Sequence, residues 1–164
     1  MAYDEEAFNF LKLFRDNLSK PFKKIEPAKQ ITAKTFMIIN CDNLTPLYGK
    51  DTQTPIEIAS ISKVMTCYLA IMVCTKYNLN IYRHTVRVGE KAAETPGTTA
   101  ELQPGDILTL YELLLGMMLP SGNDASVTIA EAMGKVIQKH KKKETKKSYY
   151  ETFIAHMNLL SKEL

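Results

Sequence analysis

The chain has no hydrophobic run long enough to cross a membrane. Its longest apolar stretch, Val64 to Cys74, is interrupted by one strongly polar residue, Thr66. That stretch is shorter than the roughly 20 residues that a transmembrane helix needs. The N-terminus, Met1 to Glu6, is acidic and lacks the basic start and apolar core of a secretory signal. As it stands, the sequence therefore predicts no transmembrane segment, no export signal and a cytoplasmic chain.

Cysteine and histidine are scarce, with three of each. Cys67 and Cys74 lie two turns apart on one predicted helix, about 10 Å of rise, which is too far for a disulfide. Cys41 falls in a predicted turn. Unpatterned thiols are typical of a reducing compartment and of small core residues. The histidines show no metal-ligand spacing, so we expect neither a metal nor a cofactor; they are His84, His140 and His156.

The net charge of +3 is mild, and most of the excess lies in one lysine-rich segment between Lys135 and Lys147. A solvated helix end or loop explains it better than contact with an anionic surface. The segment has no interleaved aromatic residues and no nucleic-acid motif, so no nucleic-acid partner is expected. A chain of 164 residues that is 45% hydrophobic can bury the core of one globular domain.

Ser60 and Lys63 stand three residues apart where an apolar helix begins. Residues at this spacing lie on one face of a helix, so the amine of Lys63 can reach the Ser60 hydroxyl. A neutral amine could take the serine proton, and both burial and the positive end of a helix dipole favour the neutral form. Ser-x-x-Lys is the arrangement of acyl-transferring serine enzymes. The pattern is short, however, and by itself it is better explained by an ordinary helix start.

A second motif follows a predicted helix from Thr109 to Leu119, which opens with a Thr-x-x-Glu capping box. Residues 120–124, Pro-Ser-Gly-Asn-Asp, interrupt the apolar pattern. One interpretation is a helix-turn-helix connection in which Asn123 or Asp124 caps the next helix. The other is a Ser-x-Asn element, Ser121 and Asn123, that faces the Ser60–Lys63 pair.

Here the chain resembles the penicillin-recognising serine enzymes, and above all the D-alanyl-D-alanine carboxypeptidases of peptidase family S11. Four segments are similar to family patterns and occur in the family's order. They are residues 59–66 (Ala-Ser-Ile-Ser-Lys-Val-Met-Thr), 102–109 (Leu-Gln-Pro-Gly-Asp-Ile-Leu-Thr), 114–125 (ending Pro-Ser-Gly-Asn-Asp-Ala) and 153–158 (Phe-Ile-Ala-His-Met-Asn).

The resemblance implies an activity and a role for each residue. Ser60 would attack the terminal peptide bond of a D-Ala-D-Ala peptide and form an acyl ester, with Lys63 as general base. Ser121 would pass the proton to the leaving D-alanine, and Asn123 would hold the substrate amide. The Ser60 backbone N–H would be one oxyanion donor. β-Lactams would act as inhibitors.

The family's third element, Lys-Thr-Gly on a strand, has no counterpart in this sequence. It would bind the substrate carboxylate and supply a second oxyanion donor. The resemblance therefore implies the N-terminal part of an α+β, β-lactamase-like domain: a sheet flanked by helices plus an all-helical subdomain, without the C-terminal strands. We expect residues 1–34 to form a helix and connection and residues 35–164 to form the incomplete domain. Family members are usually exported, unlike the expectation from this N-terminus.

The predicted elements are an amphipathic helix from Asp4 to Lys20, a hairpin over residues 35–49, a helix after Ser60 that is buried all round, and a short strand at 85–88. A loop over 94–99 and helices over 109–119, 123–140 and 149–164 complete the chain.

Two alternatives to a carboxypeptidase relative remain open. One is a truncated or degenerate homologue, without activity, that binds a peptide or a protein. The other is a β-lactamase or esterase on the same scaffold. Ser-Gly-Asn argues against the lactamase, because class A enzymes favour Ser-Asp-Asn.

Overall fold

The computed structural model describes residues 31–140 and 145–163. The described residues divide into two compact units, one that ends at residue 57 and one from residue 58 to residue 163. The helix predicted for Asp4 to Lys20 lies outside the described residues. In the part of the chain that is described, no helix combines the length and apolar character needed to cross a membrane.

The described part of the first unit is the predicted hairpin. Strand β1, Phe36–Ile39, pairs antiparallel with β2, Pro46–Lys50, and the register shifts between Ile38 and Ile39. The Asn40 N–H closes the turn on the Thr45 carbonyl at 2.8 Å. β-Branched and aromatic residues on both sides of an Asn/Asp-rich turn are typical of a hairpin, and the predicted hairpin is confirmed.

The second unit combines helices with a short sheet, as expected for an α+β fold. A 3₁₀ turn, Ala59–Ile61, leads directly into the first helix. The elements that follow are α1 (Ser62–Lys76), β3 (Thr85–Arg87), α2 (Glu90–Ala93), β4 (Ile107–Thr109), α3 (Leu110–Met118), α4 (Asn123–Lys139) and α5 (Tyr149–Glu163). Strands β3 and β4 pair antiparallel. Helix α2 and strand β4 were not predicted.

Capping boxes start two of these helices. At α3, the Thr109 hydroxyl accepts from the Glu112 N–H at 3.2 Å, and the Glu112 carboxylate accepts from the Thr109 N–H at 2.7 Å. Ser148 and Glu151 make the same exchange before α5. The hydrogen bond from the capping residue's backbone N–H lowers the pKa of each glutamate most, and the bond from the capping hydroxyl lowers it further. The predicted capping box at Thr109 is confirmed.

Helix α4 lies at the centre of the second unit and packs against α1, α3 and α5. Its crossing with α5 is close at Gly134, where a Cβ atom would overlap the backbone carbonyl oxygen of Tyr149. Only glycine permits this approach. The largest fully buried side chains of the core include Leu69, Leu110, Leu113, Met117, Ile129, Met133 and Phe153.

Helix α1 is not buried all round, so that prediction is wrong. Its buried face carries Leu69, Ala70 and Val73, whereas Val64 is 56% exposed and Ile71 is 44% exposed. In the second unit α3, α4 and α5 pack against α1. A helix that is apolar on every side gives no signal for which face its neighbours cover.

Candidate active site

Ser60 and Lys63 are brought together by the start of α1. Ser60 lies in the exposed 3₁₀ turn, and Lys63 lies in the first turn of the helix with only 7% of its surface exposed. The Lys63 Nζ atom is 3.2 Å from the Ser60 Oγ atom. An accessible hydroxyl is therefore in hydrogen-bond contact with a buried amine, which is the pairing that the spacing predicted.

The turn between α3 and α4 reaches the same amine. Lys63 Nζ is 3.2 Å from the Ser121 Oγ atom and 2.7 Å from the Asn123 Oδ1 atom. The structure thus brings together all four residues that were singled out from the sequence, across separations of 58 and 60 residues. All three oxygen atoms lie within hydrogen-bond reach of the same Lys63 nitrogen.

Two residues at this site have left-handed backbone conformations. The φ angle of Ala59, next to Ser60, is 45°, and that of Ser121 is 62°. A residue with a Cβ atom loses about 1–2 kcal/mol in this region. Such strain persists where the surrounding structure holds it, and it concentrates at functional sites. Ala59 directly precedes the candidate nucleophile Ser60, and Ser121 carries the second candidate hydroxyl.

A loop from another part of the second unit holds the Ser121–Asn123 turn. The Asn123 N–H donates to the Thr98 carbonyl at 2.7 Å, and its side-chain Nδ2 donates to the Pro96 carbonyl at 2.7 Å. The Thr98 hydroxyl donates to the Ser121 carbonyl at 2.5 Å. The turn is therefore hydrogen-bonded to residues 96–98 at three points.

Asp124 anchors the continuation of that loop. Its carboxylate is fully buried and accepts from the Ala100 N–H at 2.9 Å, the Thr99 hydroxyl at 2.7 Å and the Leu102 N–H at 3.1 Å. Burial raises the pKa of this carboxyl, but the hydrogen bonds, led by the one from Ala100, outweigh burial and leave the pKa below its ordinary value. The charged form is thus favoured inside the fold.

The N-cap of α4 is Gly122, so the expectation that Asn123 or Asp124 caps this helix is wrong. Both side chains instead bind the loop or Lys63. Sequence analysis assigned no role to Pro96 or Thr98. The Pro-Gly pair at 96–97 indicated a loop, but nothing in the sequence shows that this loop contacts a turn more than twenty residues later.

The thiols of Cys67 and Cys74 are poor candidates for the reacting nucleophile. Burial raises the pKa of the Cys74 thiol to about 11 and also raises that of Cys67, so both thiols stay protonated and weakly reactive near neutral pH. Within residues 31–140 and 145–163, no cluster of three or more His, Cys, Asp or Glu side chains could hold a metal ion.

An exposed serine one turn before a buried lysine, faced by a second serine and an asparagine, is the arrangement of Ser-Lys acyl-transferring enzymes on an α+β scaffold. Comparison with known proteins points to the same class of enzyme. A family model described as D-alanyl-D-alanine carboxypeptidase, Peptidase S11, matches residues 22–147. The chain belongs to this family.

Curated relatives carry the same description. The chain is 34% identical over 116 residues to the D-alanyl-D-alanine carboxypeptidase DacF of Bacillus subtilis. The matched region covers 71% of this chain and 30% of that protein. It is 32% identical over 116 residues to a D-alanyl-D-alanine carboxypeptidase of Streptomyces sp. K15, covering 66% and 39% of the two chains. The chain therefore spans about a third of the length of these relatives.

Solved structures share the fold. The Streptomyces K15 DD-transpeptidase matches with a TM-score of 0.65 and 28% identity over 85% of this chain and 50% of the other. The carboxypeptidase DacD of Francisella tularensis, at 24% identity, matches in fold with a TM-score of 0.67 over 90% and 32% of the two chains. These likenesses confirm the predicted DD-peptidase-like α+β architecture.

Proposed function

We propose that this chain carries the nucleophilic half of a serine-type D-alanyl-D-alanine carboxypeptidase site, in which Ser60 is the nucleophile and Lys63 the general base. The single observation that supports this most is the position of Lys63 Nζ. It lies 3.2 Å from the hydroxyl oxygen of both Ser60 and Ser121.

The reaction begins when neutral Lys63 takes the Ser60 hydroxyl proton. The Ser60 Oγ atom then attacks the carbonyl carbon of the terminal peptide bond and forms an ester as the C–N bond breaks. The departing D-alanine receives a proton, and water later hydrolyses the ester. A hydroxyl on the surface beside an amine in the interior suits this step, because the substrate can reach Ser60 while Lys63 stays largely shielded from water.

The uncharged character of the partners supports the base role of Lys63. The oxygen atoms in contact with Nζ belong to Ser60, Ser121 and Asn123, none of which is a carboxylate. A carboxylate in contact would hold the amine in its charged form. With neutral partners, loss of one proton leaves the two remaining N–H groups hydrogen-bonded and a lone pair directed at a hydroxyl.

Ser121 and Asn123 have supporting roles in this proposal. Since Ser121 Oγ contacts the same nitrogen as Ser60 Oγ, a proton taken from Ser60 can pass through Lys63 to Ser121 and on to the leaving amine. Asn123 has a second N–H on Nδ2 that can donate to the substrate amide. Both residues would therefore contact the substrate peptide that ends in D-Ala-D-Ala.

Fluorescent penicillin tests the proposal, because a β-lactam acylates the same nucleophile as its ring C–N bond breaks. The sequence contains no Lys-Thr-Gly element, and one missing oxyanion donor costs a factor of about 100 to 1,000 in rate, so long incubations are required. Ser60→Ala should abolish labelling. Ser62→Ala is the matched control, because the Ser62 hydroxyl binds the Ala59 carbonyl and should be dispensable. Equal labelling of Ser60→Ala and wild type would refute the proposal.

A further inference from the structure

The carboxamide of Asn123 has a defined orientation because its two ends meet different partners. The Pro96 carbonyl can only accept a hydrogen bond, and it lies 2.7 Å from Nδ2. Lys63 Nζ donates to Oδ1 at 2.7 Å. A flipped amide would place its oxygen against the Pro96 carbonyl oxygen, which cannot donate, so that hydrogen bond would be lost.

Gly97 permits this arrangement by lacking a side chain. A Cβ atom at residue 97 would lie 2.6 Å from Nδ2 of Asn123, closer than such atoms approach in proteins. The φ angle of Gly97 is also +104°, a conformation that other residues rarely adopt. Any substitution here therefore both strains the backbone and pushes the carboxamide away from its place.

The next residue holds the turn itself. Thr98 accepts the Asn123 N–H through its carbonyl and donates its hydroxyl to the carbonyl of Ser121. Ser121 is the residue with a φ of 62°. Thr98 thus supports the strained conformation that directs the Ser121 hydroxyl at Lys63.

We propose that residues 96–98 are a positioning element for the site: they set the amide orientation of Asn123 and, through it and Ser121, keep Lys63 Nζ between the two hydroxyls. Gly97 is the residue on which this depends most. The functional consequence rests on the proposed acyl-transfer function, whereas the positioning itself can be measured without it.

Gly97→Ala has a matched control in Gly105→Ala. Gly105 also has a positive φ, +92°, so both variants carry similar backbone strain. The Cβ atom of residue 105 would meet only a side-chain nitrogen of Arg87 at an ordinary 3.8 Å. The two variants therefore differ in whether the new methyl group touches Asn123.

The first readout is the ¹H–¹⁵N NMR signal of the Asn123 side-chain amide in the full chain, assigned by its loss in Asn123→Ala. Gly97→Ala should shift this signal or broaden it, and Gly105→Ala should leave it in place. An unchanged Asn123 amide signal in folded Gly97→Ala would overturn the proposal, whatever the labelling result.

The second readout is the rate of acylation by fluorescent penicillin. A displacement of about 1 Å at a reacting group can cost about 100-fold in rate, and we expect a loss of that order in Gly97→Ala but not in Gly105→Ala. Equal rates in the two variants would overturn the catalytic consequence. If wild type itself is never labelled, the proposed function fails and the amide signal alone decides the positioning.

Thr98 provides a second pair of variants that does not depend on Gly97→Ala folding. Thr98→Val keeps the shape but removes the donor to Ser121, and Thr98→Ser keeps the donor. Slower acylation and a shifted Asn123 amide in Thr98→Val, both restored in Thr98→Ser, would support the proposal. Identical behaviour of Thr98→Val and wild type in both readouts would contradict it.

Discussion

The Asn123 side-chain oxygen accepts a hydrogen bond from Lys63 Nζ at 2.7 Å, the shortest of the three contacts of that nitrogen. It joins the first turn of α1 to the first residue of α4. Because Lys63 is largely buried, this bond contributes both to the fold and to the place of the amine.

Two replacements of Asn123 test the contribution of this bond to stability and its effect on the Lys63 amine. Asn123→Asp places a carboxylate beside Lys63, which favours the charged amine and should abolish penicillin labelling, and it also loses the hydrogen bond to the Pro96 carbonyl. Asn123→Ala should lower the free energy of unfolding by about 1.5–3 kcal/mol, the usual contribution of a hydrogen bond to a charged group. Thermal melts and labelling rates of both variants check this. Labelling of Asn123→Asp at the wild-type rate would contradict the role given to the contact.

Stability should fall in acid through Asp124. Its pKa in the folded chain lies below its ordinary value, so the stability it contributes is complete above the unfolded-state pKa of about 3.9 and is lost as pH falls through the folded value. Asp124→Asn should therefore be less stable than wild type at pH 7, with the difference shrinking below about pH 4. Urea unfolding across this pH range measures it. Glu94→Gln, an exposed change in the same region, is the control, and a difference for Asp124→Asn that is independent of pH would contradict the prediction.

The backbone of Ala59 predicts a stabilising substitution. Because its φ is 45°, Ala59→Gly removes steric strain and should raise the free energy of unfolding by about 1 kcal/mol. Ala70→Gly, in the middle of α1, should lower it by about 1 kcal/mol or more, since glycine is a poor helix former. Denaturant melts of the two variants should shift in opposite directions. Shifts in the same direction would mean that Ala59 is not strained.

The close crossing of α4 and α5 predicts a destabilising substitution at Gly134. In Gly134→Ala the new methyl group overlaps the Tyr149 carbonyl, so the helices must separate, at about 1–3 kcal/mol despite the better helix propensity of alanine. Lys135→Ala, at the exposed neighbouring position, should change stability by less than about 0.5 kcal/mol. Equal melting of the two variants would show that the crossing tolerates a side chain.

The local features of this site could be predicted from the sequence. The contact of Ser60 with Lys63 follows from helical spacing, and the capping box at Thr109 follows from its pattern. Their meeting with Ser121 and Asn123 came from the resemblance to the S11 family, because no local rule brings together residues about 60 positions apart.

Other features depend on tertiary contacts that leave no mark on the sequence. Pro96 and Thr98 lie in a loop whose composition indicates a turn but not its partner. The face of α1 with Val64 and Ile71 is as apolar as the buried one, so hydrophobicity could not tell the two apart. Asp124 stood at a helix start and was assigned to capping, although its carboxylate binds the loop instead.

Mass spectrometry of the penicillin-treated chain determines whether Ser60 is the nucleophile. Digestion after lysine gives a peptide of residues 51–63 that contains both Ser60 and Ser62, and fragmentation distinguishes the two. We expect an adduct of one whole penicillin on Ser60, which is absent in Lys63→Ala. An adduct on Ser62 or Ser121, or an undiminished Ser60 adduct in Lys63→Ala, would contradict it.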